Sequence, residues 1–77
     1  MEERSNVLNL IIERLNAMLG AKDYTEETKY ADIGMKSGNY SSMITVLEDE
    51  FDVEIPFMQF RRKLTIGESV DYVCELL

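Results

Sequence analysis

Apolar positions along the chain recur at helical spacing in three segments that are separated by polar stretches. The first segment follows Ser5, which is a favoured N-cap residue, and it predicts a helix over residues 6–19. Gly20 stands where a helix-terminating glycine is expected. The apolar stripe of this helix, which predicts one side of the core, comprises Val7, Leu8, Ile11, Ile12, Leu15 and Leu19.

The second segment predicts a helix over residues 37–51, and Pro56 ends any helical pattern before it. The opposite face of this helix begins small and neutral and becomes acidic from Glu48 onward. Its predicted core face comprises Tyr40, Met43, Ile44, Leu47 and Phe51, which are spaced as neighbours on one side of a helix.

A short predicted helix precedes the third apolar segment. Residues 57–63 predict one helical turn with Phe57 and Phe60 inward and the cations of residues 61–63 outward. Thr65 and Glu68 have the spacing of a capping box at the start of the last helix. The predicted core face of that helix comprises Ile66, Val70, Val73 and Leu77, and the methionines predicted at the core or its edge are Met18, Met35, Met43 and Met58.

Residues 20–36 form a long connection between the first two helices. Such a loop is unusual in a small domain. Its spaced apolar residues, Tyr24, Tyr30, Ile33 and Met35, predict that it is pinned across the core. The pattern therefore predicts an all-α fold, a small four-helix bundle of three main helices and one short helix, with no strand.

The composition narrows the function classes. With 77 residues we expect a single domain over residues 1–77, and with 15 acidic and 8 basic residues its net charge of −7 disfavours nucleic acid as a partner. Basic protein partners or plain solubility fit this charge equally well. No apolar run is long enough to span a bilayer. A lone cysteine and no signal-peptide pattern suit a monomer in the cytoplasm.

Enzymatic catalysis has few candidate groups. The chain has no His, so neither a His/Cys zinc site nor a catalytic set of Ser, His and Asp can be assembled. The acidic run of residues 48–54 lacks the pattern of a calcium-binding loop. We therefore expect neither a metal site nor an enzyme.

Ser37 is the remaining candidate for chemistry. It lies at or just before the first turn of the second predicted helix, between Lys36 and Gly38. Its position alone favours a plain N-cap. The alternative is a hydroxyl that is presented for modification.

Four blocks of the chain match one family pattern and align with it without a gap. They are residues 32–38, 47–51, 54–56 and 65–73. On these blocks the chain, from Asp32 onward, resembles the acyl carrier proteins of the phosphopantetheine-binding carrier family. The resemblance implies the helical bundle and places a covalent 4′-phosphopantetheine arm on Ser37. It also implies a phosphopantetheinyl transferase that uses magnesium, with acyl- or aminoacyl-loading and condensing enzymes as further partners.

The residues around Ser37 depart from the family pattern. Lys36 stands in place of the usual Asp, and Gly38 in place of the usual Leu. We therefore expect a transferase of broader specificity than that of fatty-acid synthesis, and a specialised fatty-acid, polyketide or related pathway. The residues predicted to contact partners are Lys36, Gly38, Ser41, Thr45, Glu48, Asp49, Glu50 and Asp52.

Two alternatives remain open from the sequence. Within the family, the chain would carry aminoacyl or peptidyl groups for an amino-acid-activating enzyme. Outside it, the chain would be an unmodified helical protein-interaction module. A glycine directly after Ser37 slightly favours the second alternative, because glycine weakens a first helical turn.

Overall fold

The structure is a computed structural model that describes residues 2–77. Its helices are α1 (Glu2–Leu19), α2 (Ser37–Phe51), α3 (Phe57–Arg61) and α4 (Ile66–Leu76), and a 3₁₀ turn (Tyr30–Asp32) interrupts the first loop. Across these residues the only β pairing is an isolated bridge between Lys29 and Thr65. The predicted all-α bundle of three main helices and one short helix is confirmed.

Helix α1 begins one turn earlier than the sequence pattern predicts. Ser5 lies inside the helix and is exposed, so the prediction that it is an N-cap is wrong. Two acidic residues, Glu2 and Glu3, occupy the first turn, where the positive end of the helix dipole favours them. Arg4 extends from this turn, and its Nε donates to Asp71 of α4 at 2.9 Å. These interactions make the extra turn favourable.

Arg4 also pairs with Glu26 in the loop between α1 and α2. The hydrogen bond from the Arg4 guanidinium lowers the pKa of the Glu26 carboxyl below its ordinary value. A carboxylate that is stabilised in this way stays ionised to lower pH in the folded chain. One side chain at the start of α1 therefore joins this loop to α4.

The core lies where α1, α2 and α4 meet, with Phe60 of α3 closing one end. Fully burying a side chain of this size contributes roughly 1.5–3 kcal/mol. Two predicted core positions are wrong: Leu77 is 45% exposed because it follows the last helical residue, and Met58 is 60% exposed because Phe60 takes the inward side of α3. The fully buried apolar side chains are Val7, Ile11, Leu15, Met43, Leu47, Phe60, Ile66, Val70 and Val73.

The long first loop is pinned to the core, as its apolar spacing predicts. Tyr24 and Tyr30 are both buried. The Tyr30 hydroxyl lies 2.6 Å from the buried Ser69 hydroxyl, which itself donates to the Ile66 carbonyl at 2.7 Å. The Tyr30 hydroxyl is therefore the donor to Ser69. Burial raises the pKa of Tyr30 well above its ordinary value and keeps the ring neutral.

Backbone hydrogen bonds attach the same loop to the start of α4. Tyr30 N–H donates to the Leu64 carbonyl at 3.0 Å, and Gly67 N–H donates to the Glu26 carbonyl at 2.9 Å. A Cβ at Gly67 would lie 3.1 Å from that Glu26 oxygen, so only glycine allows the approach without a shift. The loop thus arrives at α2 already held in place.

The last two helices begin and end close to the predicted positions. Helix α3 is shorter than predicted, since it ends at Arg61 rather than Lys63. At the start of α4 the Thr65 hydroxyl accepts the Glu68 N–H at 3.1 Å, and Glu68 Oε1 accepts the Leu64 N–H at 3.3 Å. The predicted cap by the Thr65 hydroxyl is confirmed, but the predicted capping box is only half formed, because Glu68 accepts the Leu64 N–H rather than the Thr65 N–H. None of the helices described in residues 2–77 is long and apolar enough to cross a membrane.

Candidate functional site

The candidate site is the junction between the long loop and α2. Gly34 has a φ of 74°, a left-handed conformation that turns the chain just before the helix. Lys36 is extended, with φ −114° and ψ 168°, and it is the N-cap residue. Its carbonyl accepts the Tyr40 N–H at 3.1 Å, which is the first helical hydrogen bond. Ser37 is therefore the first residue inside the helix.

Asn39 stabilises this first turn with its side chain. Its Oδ1 accepts the Lys36 N–H at 3.0 Å, and its Nδ2 lies 3.8 Å from the Met18 sulfur of α1. The first contact closes the helix start, and the second fixes the turn against α1. Asn39 was not predicted as a site residue, and its spacing of three after the N-cap is the signal that could have identified it.

The Ser37 side chain is exposed and does not cap the helix. Among residues 2–77 its hydroxyl has no hydrogen-bond partner. The interpretation of Ser37 as a plain N-cap is therefore wrong, because Lys36 is the N-cap residue and Ser37 is the first residue inside the helix. The hydroxyl is free to react.

The electrostatics of this helix start favour an anion on Ser37. The N–H groups of Ser37 and Gly38 precede the first intrahelical hydrogen bond and point away from the helix body. The first turn of α2 contains no acidic residue, and Lys36 adds a positive charge beside the hydroxyl. A phosphate at this position would meet backbone donors and the positive end of the helix dipole.

Tyr40 lies on the inner side of the same turn and anchors it in the core. Its ring makes edge-to-face contacts with Tyr30 and Phe60, with centroids 5.5 and 6.3 Å apart. The guanidinium of Arg61 lies 5.3 Å from its centroid. Burial raises the pKa of Tyr40 above its ordinary value, and the positive charge of Arg61 opposes that shift. The position of Ser37 is therefore set by a buried aromatic cluster.

A concavity of about 260 Å³ opens beside this cluster. It lies close to the start of α2, because Met35 and Tyr40 belong to its wall and flank Ser37 along the chain. Its wall contains two cations and no carboxylate. The residues that line it are Tyr30, Ala31, Met35, Tyr40, Arg61, Lys63 and Leu64.

The residues predicted to contact partners divide into two groups by position. Lys36, Gly38, Ser41 and Thr45 are exposed along the first part of α2. The Thr45 hydroxyl donates to the Ser41 carbonyl at 3.0 Å. Apart from its chain neighbours and the backbone of the same helix, no heavy atom lies within 4 Å of a Cβ built at Gly38, so this small position leaves open space next to Ser37.

The second group is the acidic end of α2, where Glu48 differs from its neighbours. Asp49, Glu50 and Asp52 are exposed. Glu48 is half-buried, and its Oε2 accepts the Ile55 N–H at 2.8 Å. Asp52 ends the helix with a φ of 52° in the left-handed region. The Glu48 carboxylate therefore holds the turn that follows α2, whereas the other three carboxylates face solvent.

Arg61, the last residue of α3, and Lys63, two residues after it, lie next to the start of α2, which was not predicted. Arg61 contacts Tyr40, and Lys63 shares the concavity wall with Met35. One sequence signal could have indicated it. Residues 33–47 and 55–67 contain no acidic residue, although the chain is acidic as a whole.

Other reactive groups contribute little. Residues 2–77 contain no group of three or more His, Cys, Asp and Glu side chains that could hold a metal ion. Cys74 is a half-buried free thiol, and burial raises its pKa, which lowers the thiolate fraction near neutral pH. No protein-family model matches the chain. A function for this chain therefore rests on its motifs and on the geometry around Ser37.

Proposed function

We propose that the protein is an acyl carrier protein that holds its cargo on a phosphopantetheine arm attached to Ser37. The observation that carries the proposal is the exposed Ser37 hydroxyl, which begins α2 and makes no hydrogen bond within residues 2–77. A serine at a helix start ordinarily uses its hydroxyl as a cap. Here Lys36 is the N-cap residue and Ser37 follows it, so the Ser37 hydroxyl is not used as a cap and is available.

The surroundings of Ser37 fit a phosphodiester. Lys36 lies beside it, the first turn of α2 has no carboxylate, and the helix dipole points its positive end toward the site. When bound, phosphopantetheine supplies a terminal thiol that holds an acyl group as a thioester. In this proposal Ser37 supplies the bonding oxygen, Lys36 balances the phosphate charge, and Asn39 keeps the first turn closed.

The modification would need a separate transferase, which supplies magnesium and a general base. Ser37 Oγ attacks the phosphorus of coenzyme A that bears the pantetheine. The bond from that phosphorus to the bridging oxygen breaks, and adenosine 3′,5′-bisphosphate leaves. The hydroxyl proton passes to the base of the transferase. The carrier contributes the nucleophile and its presentation, and this requires no histidine in the chain.

Intact-protein mass spectrometry tests the proposal. The purified chain is incubated with coenzyme A, magnesium and, separately, a fatty-acid-type or a broad-specificity transferase. We expect a mass gain of one phosphopantetheine in the wild-type chain and none in Ser37→Ala. A chain that gains no mass with either transferase would contradict the carrier role and favour an unmodified interaction module.

The charge of Lys36 supports a dedicated pathway. A transferase that reads acidic carriers with basic residues would be repelled by Lys36. We therefore expect Lys36→Asp to load faster than wild type with the fatty-acid-type transferase, whereas the broad-specificity transferase loads both. Equal loading of wild type and Lys36→Asp by the fatty-acid type would contradict this specificity. Initial loading rates, measured by intact-protein mass spectrometry, distinguish the two outcomes.

A further inference from the structure

The charges of this chain are separated along the sequence. The acid-free residues 33–47 and 55–67 contain four of its eight cations, which are Lys36, Arg61, Arg62 and Lys63. The rest of the chain has four cations and fifteen acidic residues, so it carries 4 − 15 = −11 against +4, which gives the total of −7. An acidic protein thus contains one strongly basic region.

The fold brings the two acid-free stretches together. Tyr40 of α2 packs edge-to-face on Phe60 of α3, and Arg61 lies over the Tyr40 ring. The concavity of about 260 Å³ has Met35 from one stretch and Lys63 and Leu64 from the other in its wall. Met35, Arg61, Lys63 and Leu64 line the concavity, and the exposed Lys36 and Arg62 are their neighbours along the chain; we name these six residues the α2–α3 basic surface.

Within residues 2–77, none of the cations of this surface forms an ion pair with a carboxylate. Both ion pairs found within residues 2–77 belong to Arg4. Arg61 and Lys63 lie over the tyrosine rings of Tyr40 and Tyr72, which orients them but leaves their charge uncompensated. Lys36 and Arg62 are exposed. The positive field therefore faces outward.

Exposed apolar side chains accompany these cations. Leu64 is 69% exposed, and it forms part of the concavity wall. Met58, on the outer side of α3, is 60% exposed. Protein interfaces commonly combine an apolar centre with a charged rim, and complementary charge directs the partner to the correct surface.

We propose that the α2–α3 basic surface docks an acidic segment of a partner protein, with an apolar side chain of that segment entering the concavity against Leu64. The carboxylates of the segment would pair with the free cations around the rim. A partner would then approach the start of α2 with an acidic surface, although the carrier is itself acidic. The proposal concerns docking alone and does not rest on modification of Ser37.

Fluorescence anisotropy with labelled peptides tests the docking. The probe is a short helical peptide of glutamate and leucine, with a lysine–leucine peptide and a glutamate–serine peptide as controls. We expect the unmodified wild-type chain to bind the glutamate–leucine peptide most tightly. Added NaCl should weaken this binding, because salt screens exposed charges.

Charge-reversal variants locate the binding surface. Arg62→Glu should weaken the probe's binding about threefold to tenfold, as expected for the loss of one exposed attraction and the gain of one repulsion. Lys22→Glu is the matched control, since Lys22 is also exposed, lies outside this surface and changes the net charge equally. Leu64→Ser should also weaken binding with no change in charge. Circular dichroism checks that each variant is folded.

Three results would overturn the proposal. The first is tighter binding of the lysine–leucine peptide than of the glutamate–leucine peptide. The second is a Lys22→Glu variant that binds the probe as weakly as Arg62→Glu does. The third is binding of the chain to phosphatidylglycerol vesicles but not to the glutamate–leucine peptide, which would show that the surface binds anionic lipid. None of these results bears on the mass test of Ser37, so the two proposals fail independently.

Discussion

The two ends of α2 are both polar, but the side chains at the two ends have different structural roles. At the start, Ser37 and Gly38 are exposed, and the Ser37 hydroxyl makes no hydrogen bond within residues 2–77, since Lys36 and not Ser37 is the N-cap residue. At the end, Glu48 holds the following turn through the Ile55 N–H. We therefore expect the exposed Ser37 side chain at the start of α2 to be dispensable for folding. Glu48, at the end of the helix, was predicted to be a docking charge but has a structural role.

This difference separates function from stability along one helix. Substitutions on the outer side of the first turn should change modification or docking and leave the fold intact. Substitutions on the inner side, or at Glu48, should change the free energy of unfolding. The variants that follow compare these two kinds of position.

The largest effect is expected on the inner side of the first turn. Tyr40→Ala removes a buried ring that packs on Tyr30 and Phe60. We expect it to lower the free energy of unfolding by about 3–5 kcal/mol, as for other buried aromatic truncations. Urea denaturation followed by circular dichroism measures this value. Tyr40→Phe is the matched control and should cost far less, and equal losses in both variants would contradict a packing role for the ring.

Glu48 should show the next largest effect. Glu48→Ala leaves the partly buried Ile55 N–H without its carboxylate acceptor, which should cost about 1–2 kcal/mol. Asp49→Ala, one position along and exposed, should change the unfolding free energy by less than about 0.5 kcal/mol. The two denaturation midpoints are compared directly. If Asp49→Ala costs as much as Glu48→Ala, the two carboxylates do not differ as described.

The caps of α2 provide a third comparison. Asn39→Ala should cost about 1 kcal/mol, because it removes the hydrogen bond that the Asn39 side chain accepts from the Lys36 N–H. Ser37→Ala should cost less than about 0.5 kcal/mol, because the hydroxyl caps nothing. The reverse order in thermal or urea unfolding would show that Ser37 is the cap after all.

The smallest effect is expected at Gly38, and its sign is opposite. Gly38→Ala should stabilise the chain by about 0.5 kcal/mol, because alanine favours the helix and a Cβ there meets no heavy atom within 4 Å. Gly67→Ala is the contrasting control and should destabilise, since its Cβ would lie 3.1 Å from the Glu26 carbonyl oxygen. A destabilised Gly38→Ala would mean that this glycine has a backbone role which its helical conformation does not indicate.

Local signals account for the elements that could be predicted from the sequence. Helices α2 and α4 follow from apolar spacing, and the cap of α4 from the pairing of Thr65 with Glu68. The true start of α1 could not be predicted, because it depends on contacts of Arg4 with Glu26 and Asp71, which are distant along the chain. Ser5 therefore gave a misleading local signal.

The candidate site shows the same division. Its location at Ser37 follows from motifs, but the unbonded hydroxyl follows from a helix start in which Lys36 is the N-cap residue, and Asn39 holds this start against Met18 of α1. The α2–α3 basic surface needs two separate stretches to meet through Tyr40 and Phe60, and no local pattern encodes that contact. Ser37 could therefore be identified from the sequence, whereas its unbonded hydroxyl and the basic surface beside it could not.

In the proposed carrier, the Ser37 hydroxyl is kept free for attachment of the arm. Peptide-level mass spectrometry of the transferase-treated chain tests this most directly, because Ser5 and Ser41 are also exposed serines and Ser42 is half-buried. We predict one phosphopantetheine group, located on Ser37 alone. A group located on Ser41 or Ser42, or no group with either type of transferase, would contradict the claim.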